Sequence, residues 1–144
     1  MRNEDSVELW KKHINAGNDN FDKQQILGAL AHYQEAISLA EQLLSGHQDP
    51  KGAVAATVVS YHNLADLYLR EGQPVLAECE LENVHTKLSN CLNKEKSDNK
   101  VRALLWGINR TYFALMSHRE TYSDNTEVSV PFLPFEHNFK NNLS

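Results

Sequence analysis

The stretch from Tyr61 to Val84, YHNLADLYLREGQPVLAECELENV, decides the fold that we predict for this chain. Its first half carries apolar or small residues at the period of an α-helix that buries one face, namely Tyr61, Leu64, Ala65 and Tyr68. Gly72 and Pro74 then interrupt the pattern, because glycine favours a helix end and proline suits the first position of the next helix. The helical period resumes at Ala77, Leu81 and Val84. The stretch therefore predicts two antiparallel helices joined by a short turn.

The same reasoning, extended in both directions, predicts five helices and no strand before residue 126. Their expected bounds are about Val7–Gly17, Gln24–Leu44, Pro50–Arg70, Pro74–Leu92 and Lys100–Ser117. Asp5 and Glu8 have the spacing of a capping box at the start of the first helix. Gly46 is expected to end the second helix in a left-handed conformation. Asp49 before Pro50 is typical of the N-cap and first position of the third helix.

The last part of the chain has a different character. The segment TEVSVPFLPF, residues 126–135, contains two prolines three residues apart, which forbid a regular helix. Its valines, phenylalanines and leucine are nevertheless too apolar for a purely disordered tail. We predict a helical domain over residues 1–120 and an extended apolar and aromatic tail over residues 121–144 that packs on it. The tail either covers an exposed end of the helical stack or forms part of a binding groove.

Composition narrows the class of protein. The chain has 144 residues, of which 41% are hydrophobic and 23% charged, so one domain can bury a core without disulfides or metal. The net charge of −5 argues against binding to nucleic acid or to an anionic membrane. Cys79 and Cys91 fall on one predicted helix about 18 Å apart, too far to form a disulfide. With no signal-peptide pattern at the amino terminus, we expect reduced thiols and a cytoplasmic protein.

The residues of the central stretch resemble the tetratricopeptide repeat, a 34-residue helix–turn–helix unit. That family places bulky, small and aromatic residues in a fixed order in the first helix, glycine at the turn, and alanine and a bulky residue in the second helix. This sequence has matching residues at Tyr61, Leu64, Ala65, Tyr68, Gly72, Ala77 and Leu81, and only Val84 replaces a smaller residue. The small positions let the two helices of a unit approach closely.

A weaker copy of the unit precedes the central stretch. Ala29, Tyr33 and Ala36 reproduce the spacing in the second helix, and Gly17 falls at the small position of the first. A third unit would begin at the fifth helix, with Gly107 or Arg110 at its small position. The resemblance covers residues 7–118 and implies an all-α, short right-handed solenoid of stacked antiparallel hairpins, similar to small bacterial proteins with this repeat. A plain helical bundle is the alternative, because other helical hairpins show similar patterns.

The resemblance also implies a function. Proteins of this family usually bind a peptide or helix along the concave face lined by the first helix of each unit. The matching positions give a candidate partner-binding face of Lys11, Asn15, Asn18, His62, Asn63, Asp66 and Arg70. Asn18 and Asn63 stand where the family's carboxylate clamp has its asparagines, but Ile14 stands where a lysine is expected. The resemblance implies a non-catalytic module with a protein or peptide partner. The alternative is a self-associating structural protein.

Catalytic patterns are weak in this sequence. Glu82 and His85 have the spacing found in carboxylate-bridged metal bundles, but those bundles need two such pairs. Cys79 lies between Glu78 and Glu80, whose charges disfavour a reactive thiolate. The sequence has no phosphate-binding glycine loop, zinc motif or nucleophile elbow. We therefore expect no enzymatic activity, no bound metal and no cofactor.

Overall fold

The computed structural model describes residues 3–46 and 48–123. Within these ranges it contains five α-helices: α1 (Asn3–Asp22), α2 (Ile26–Ser45), α3 (Pro50–Arg70), α4 (Pro74–Lys94) and α5 (Asp98–Tyr122). The bounds of α3 are those predicted from the sequence. Thr121 and Tyr122 belong to α5 rather than to the predicted tail. Ser123 follows as the C-cap of α5, and residues 124–144 of that tail lie outside the described residues.

The helices form two layers. Each helix packs against its neighbours in the chain, and α3 also contacts α1 and α5, whereas α2 and α4 meet at most marginally. The first, third and fifth helices therefore line one face of a short solenoid of stacked hairpins. The prediction of an all-α fold of stacked antiparallel hairpins is confirmed for the described residues. We call the surface formed by α1, α3 and α5 the groove.

The central stretch packs as its spacing predicts. Its repeat-like residues in the two helices are all buried, namely Tyr61, Leu64, Ala65, Tyr68, Ala77, Leu81 and Val84. Gly72 in the turn between α3 and α4 has a φ of 71°, a left-handed conformation that glycine adopts without steric cost. Pro74 occupies the first turn of α4. The apolar positions of this hairpin are therefore core residues, and the glycine position forms the tight turn, as the sequence pattern predicts.

The prediction that α1 ends at Gly17 is wrong. The helix begins at Asn3 and continues to Asp22, so Asp5 lies inside it and does not cap it. Gly17 is instead a site of close approach, because a Cβ atom there would lie 2.5 Å from Cε1 of the buried Tyr33 ring. Glycine at this position lets α1 pack directly on that ring.

The prediction for the end of α2 is also wrong. Gly46 has φ −86° and ψ −179°, which is extended rather than left-handed. Lys100 explains the difference, since its Nζ donates hydrogen bonds to the carbonyl oxygens of Leu44 at 2.8 Å and Gly46 at 3.4 Å. A cation at the carboxyl end of a helix satisfies carbonyl groups that have no partner within the helix. The predicted N-cap of α3 is confirmed, because Asp49 Oδ1 accepts from the Gly52 amide at 3.0 Å.

The fifth helix is longer than predicted at both ends. Its final turns are anchored to α4 by side chains, because His118 Nε2 lies 2.9 Å from the carbonyl oxygen of Pro74. Arg119 adds bonds to Glu78 at 3.3 Å and Glu82 at 2.9 Å. These contacts join residues far apart in sequence. The helical periodicity up to Ser117 therefore could not predict them.

Gly107 and Arg110, the two candidates for the small position of α5, differ in burial. Gly107 is buried, and a Cβ there would meet Val54 Cγ1 of α3 and lie 2.9 Å from Leu88 Cδ1 of α4. Arg110 is exposed, and its guanidinium carbon lies 4.9 Å from the centre of the Trp106 ring. The absence of a side chain at Gly107 thus lets α5 approach α3 and α4 together.

We predict that Gly107→Ala destabilises the protein by about 1–3 kcal/mol, because the new methyl group must displace buried aliphatic side chains. Thermal or urea unfolding monitored by circular dichroism measures this change. Gly28→Ala is the matched control, since its Cβ would meet only the end of the Asn20 side chain. Alanine also favours a helix over glycine by about 0.5–1 kcal/mol. Equal stability of the two variants would contradict the proposed role of Gly107.

Candidate functional site

Two hydrogen bonds join α1 to α3 across the groove. Trp10 Nε1 donates to Ser60 Oγ at 2.7 Å, and Asn63 Nδ2 donates to Asn18 Oδ1 at 3.3 Å. The two helices otherwise touch little, in contrast to the close packing of α3 on α5. The floor of the groove between α1 and α3 is therefore held by a few polar contacts.

Asn18 is the centre of a small polar cluster. Its Oδ1 accepts a second hydrogen bond from the Tyr33 hydroxyl at 2.6 Å. Burial raises the pKa of Tyr33 to about 12, and the nearby carboxylates of Asp22 and Asp66 add to this while Arg70 opposes it. The phenol therefore stays protonated at neutral pH and keeps donating. Two of the predicted partner-binding residues, Asn18 and Asn63, are thus brought together and fixed in position.

Arg70 lies at the end of this part of the groove. Its guanidinium carbon is 3.5 Å from the centre of the Phe21 ring, which is a cation–π contact between α3 and α1. Its Nε is 3.9 Å from a carboxylate oxygen of Glu71. The side chain is 30% exposed, so a cation is available at the surface in a restrained orientation.

A second site lies between α3 and α5. A cavity of about 330 Å³ is lined by two of the predicted residues, His62 and Asp66, and by His118 of α5. Partial desolvation raises the pKa of the Asp66 carboxyl, although that residue is exposed at the edge of the cavity, and burial lowers the pKa of the His62 imidazole. Burial thus disfavours the charged form of each group, which leaves His62 neutral near pH 7.

Two ring nitrogens at this cavity have no hydrogen-bond partner among the described residues. They are Nε2 of His62 and Nδ1 of His118, and both are buried. An unpaired buried polar atom costs about 1–3 kcal/mol, so these two nitrogens, which have almost no accessible surface, lower the stability of this region.

The orientation of His118 is fixed. Its side chain is 3% exposed, and its ring packs 4.7 Å from that of Tyr122. Because the Pro74 carbonyl can only accept, Nε2 of His118 carries the hydrogen in their 2.9 Å contact. In the neutral ring, Nδ1 therefore presents a lone pair. Sequence analysis missed His118 and Tyr122 because it ended the helix at Ser117, although the buried positions Gly107, Thr111 and Leu115 continue in register to His118.

Lys11 and Asn15 lie apart from this arrangement. Lys11 lines a different cavity of about 840 Å³ between the amino-terminal parts of α1 and α3, and its Nζ is 3.8 Å from Glu8 on its own helix. Asn15 is exposed on α1. The predicted residues that meet in one region are therefore Asn18, Asn63, His62, Asp66 and Arg70.

The basic residues of a carboxylate clamp do not gather at the asparagine pair. Lys100 is buried beneath the end of α2, and Arg110 stacks on Trp106. Ile14, where the clamp would have a lysine, is part of the core. The asparagine pair of this groove thus has a different setting from that of a carboxylate clamp.

The pair Glu82 and His85 is engaged in contacts between helices. Glu82 accepts from Arg119 at 2.9 Å, and His85 Nδ1 is 2.9 Å from Thr111 Oγ1. Across residues 3–46 and 48–123, no three His, Cys, Asp or Glu side chains are placed to hold a metal ion together. Nor does any helix in that part of the chain have the length and apolar character needed to cross a bilayer.

The chain belongs to a family of unknown function. The family model described as "Protein of unknown function (DUF2753)" matches residues 8–131, which include most of α1 and all of the other helices. No curated protein and no solved structure matches the chain.

The burial of His62 predicts an acid-sensitive contribution to stability. Its pKa is lowered from 6.5 on folding, so the unfolded chain binds the proton more readily. This contribution is fully present above pH 6.5 and is lost as the pH falls through the lowered pKa of the folded state. We predict that His62→Gln loses less stability than the wild type between about pH 7.5 and 5.5. Urea unfolding at each pH measures the difference, and parallel stability curves for the two proteins would contradict it.

Proposed function

We propose that this protein is a non-catalytic interaction module that binds a peptide or a helix of another protein in the groove, and that it is related to tetratricopeptide-repeat proteins. The observation that carries the proposal is the polar cluster of Asn18, Asn63 and Tyr33. Asn18 and Asn63 are accessible at the groove surface, Tyr33 is buried beneath them, and hydrogen bonds of 2.6 and 3.3 Å already hold the three side chains. Groups ordered before binding lose less conformational entropy when a partner arrives.

The dimensions of the groove suit a peptide segment. A helix of 21 residues such as α3 is about 30 Å long. That length matches about nine residues of extended chain or about twenty residues of helix. The cavity near Lys11 lies at one end, and the cavity beside Asp66 lies toward the other. A segment laid along the groove would place side chains in both.

The charges of the groove favour a protein partner over nucleic acid. The chain has a net charge of −5, and phosphate backbones require clustered cations. Arg70 and Lys11 are near the acidic residues Glu71 and Glu8, so neither belongs to a basic patch. Cys79 and Cys91 are half-buried thiols on one helix, which fits the reducing conditions of the cytoplasm.

Site-directed photocrosslinking in cells tests the proposal. We predict that a photoreactive phenylalanine analogue at Asn15 or Val59, both exposed on helices that line the groove, forms a discrete adduct with a partner. The matched controls carry the same analogue at Ser38 of α2 and Thr86 of α4, which are exposed on the other layer. Mass spectrometry of the adduct identifies the partner.

Each pattern of crosslinks has one meaning. Adducts from groove positions alone support the proposal, and Asn63→Ala or Arg70→Ala should then weaken them at a temperature where the variant is still fully folded, since each also removes a contact between α1 and α3. Adducts of equal yield from all four positions would indicate nonspecific contact and contradict it. The absence of any adduct from the groove positions would also count against it.

Self-association is the second candidate function, because one observation favours it. The outer face of α5 carries large hydrophobic side chains that remain exposed, including Leu105, Trp106, Tyr112 and Phe113, with Phe113 at 76% exposure. Exposed apolar groups concentrated on one helix mark a site of association. The end of a stack of helical repeats also needs a cap or a neighbour. Two copies could cover these faces through a symmetric contact.

Sedimentation velocity tests this alternative. If the α5 face joins two copies, the wild type should sediment as a dimer and Phe113→Glu as a monomer, because a buried carboxylate without a partner opposes association. Leu27→Glu is the matched control, since Leu27 is 81% exposed on α2, away from this face. A wild type that stays monomeric at the highest accessible concentration would remove self-association as a function.

A further inference from the structure

The outer face of α5 carries a second row of apolar side chains beside those that pack on α3 and α4. This helix is the last one in the described part of the chain. The second row follows steps of three and four residues, and its members are Val101, Leu105, Ile108, Tyr112 and Met116. Four of the seven large hydrophobic side chains that are exposed among the described residues also lie on this helix, namely Leu105, Trp106, Tyr112 and Phe113. We call the surface formed by both sets the outer stripe. Apolar side chains on a second face suit a helix to a further neighbour.

The chain supplies an apolar segment shortly after this helix. Residues 128–135, VSVPFLPF, hold two valines, two phenylalanines and a leucine but no charged residue. Pro131 and Pro134 have no N–H group, so a segment laid on side chains leaves fewer backbone donors without a partner. Two prolines three residues apart are also the spacing at which proline-rich segments dock on aromatic surfaces. The outer stripe offers three exposed aromatic rings, those of Trp106, Tyr112 and Phe113.

The length of chain after α5 is sufficient for this segment to reach the outer stripe. Phe113 lies ten residues before Ser123, which is about 15 Å along the helix axis. The five residues from Ser123 to residue 128 span up to about 17 Å when extended, so the chain can turn back to the level of Phe113. Residues 128–135 then span up to about 26 Å, and the rise from Phe113 to Val101 is about 18 Å. The segment can therefore follow most of the outer stripe.

The connection also favours the segment of the same chain over that of a second copy. A short flexible link gives two parts of one chain an effective concentration on the order of millimolar. A second copy of the protein reaches that concentration only in very concentrated solution. The attached segment thus has the advantage for an apolar surface so near its own point of attachment.

We infer that residues 128–135 pack on the outer stripe of α5 in their own chain and close the end of the helical stack. The aromatic and aliphatic side chains of the segment would remove the exposed rings of α5 from water. This inference goes beyond the proposed function and does not depend on a partner in the groove. It excludes self-association through the same face, because one chain then supplies both sides of the contact.

Photocrosslinking within the full chain tests the inference. A photoreactive phenylalanine analogue replaces Phe132, and trypsin then separates the tail peptide, residues 120–140, from the α5 peptides 103–110 and 111–119. We expect mass spectrometry to find the tail peptide joined to residues 103–110, which include Leu105 and Trp106. An equal mixture of ¹⁴N-labelled and ¹⁵N-labelled chains shows whether one chain supplied both peptides, because a contact between two copies gives pairs of mixed isotope.

Two double variants with similar exposure assign the surface. Leu105→Glu with Phe113→Glu changes side chains of the outer stripe that are 47% and 76% exposed. This variant should lower the yield of the pair with residues 103–110 about tenfold, because a carboxylate beneath an apolar segment loses its water. Ile26→Glu with Leu27→Glu is the matched control on α2, at 40% and 81% exposure, and should leave the yield unchanged. Equal yields from the two variants would overturn the inference. If the α5 variant fails to fold, the isotope mixture without these substitutions still decides.

The position of the crosslinks distinguishes the other occupants. Tail peptides joined mainly to residues 13–23 or 52–70, from α1 and α3, would place the tail in the groove and overturn the inference. Pairs of mixed isotope at their statistical share would indicate exchange between two copies and overturn it as well. The absence of any pair with the α5 peptides would have the same meaning. Adducts from Asn15 and Val59 test the proposed function separately, so failure of one proposal does not imply failure of the other.

Discussion

The close approach of helices at positions without a large side chain is the constraint on which the rest of this structure depends. Gly17 lets α1 rest on the ring of Tyr33, and Gly107 lets α5 enter the space beside Val54 and Leu88. Ala65 and Ala77 are buried within the central hairpin in the same way. Protein interiors are packed to crystal-like density, so these small residues set the distance between the helices. The large side chains fill the space that remains. The groove and the cavity beside Asp66 have their shape as a result.

The hairpin from Tyr61 to Val84 could be predicted from the sequence because all of its determinants are local. The helical period, the glycine in the turn and the proline at the start of α4 all lie within one stretch. The predicted bounds of α3 agree with the structure. The ends of α1, α2 and α5 could not be predicted in this way. The end of α2 involves Lys100 reaching Leu44, and that of α5 involves His118 reaching Pro74, which are contacts between separate helices. In α1, Gly17 lies within the helix against Tyr33, and the helix ends further on, before the turn in which Gln24 has a φ of 60°.

The candidate site shows the same division. Matching positions to the repeat pattern placed Asn18 opposite Asn63, and the structure joins them by a hydrogen bond of 3.3 Å. It also named His62 and Asp66, which share a cavity. The pattern could not supply His118, which comes from the turn of α5 that the sequence analysis omitted. Nor could it show that Lys11 lines a separate cavity. The spacing of residues along one helix does not reveal which cavity between two helices a side chain lines.

The contact between Lys100 and the end of α2 has a consequence for how the chain folds. In a simple array of repeats each unit contacts only its neighbours, so the array can unfold from one end in steps. Here the ammonium of Lys100 contacts a carbonyl oxygen 56 positions earlier in the chain, and it also lies 3.5 Å from Glu95. The carboxyl end of α2 is fully satisfied only when α5 has docked. This contact therefore couples the first hairpins to the last helix, and undocking of α5 removes the partner of the Leu44 and Gly46 carbonyl groups.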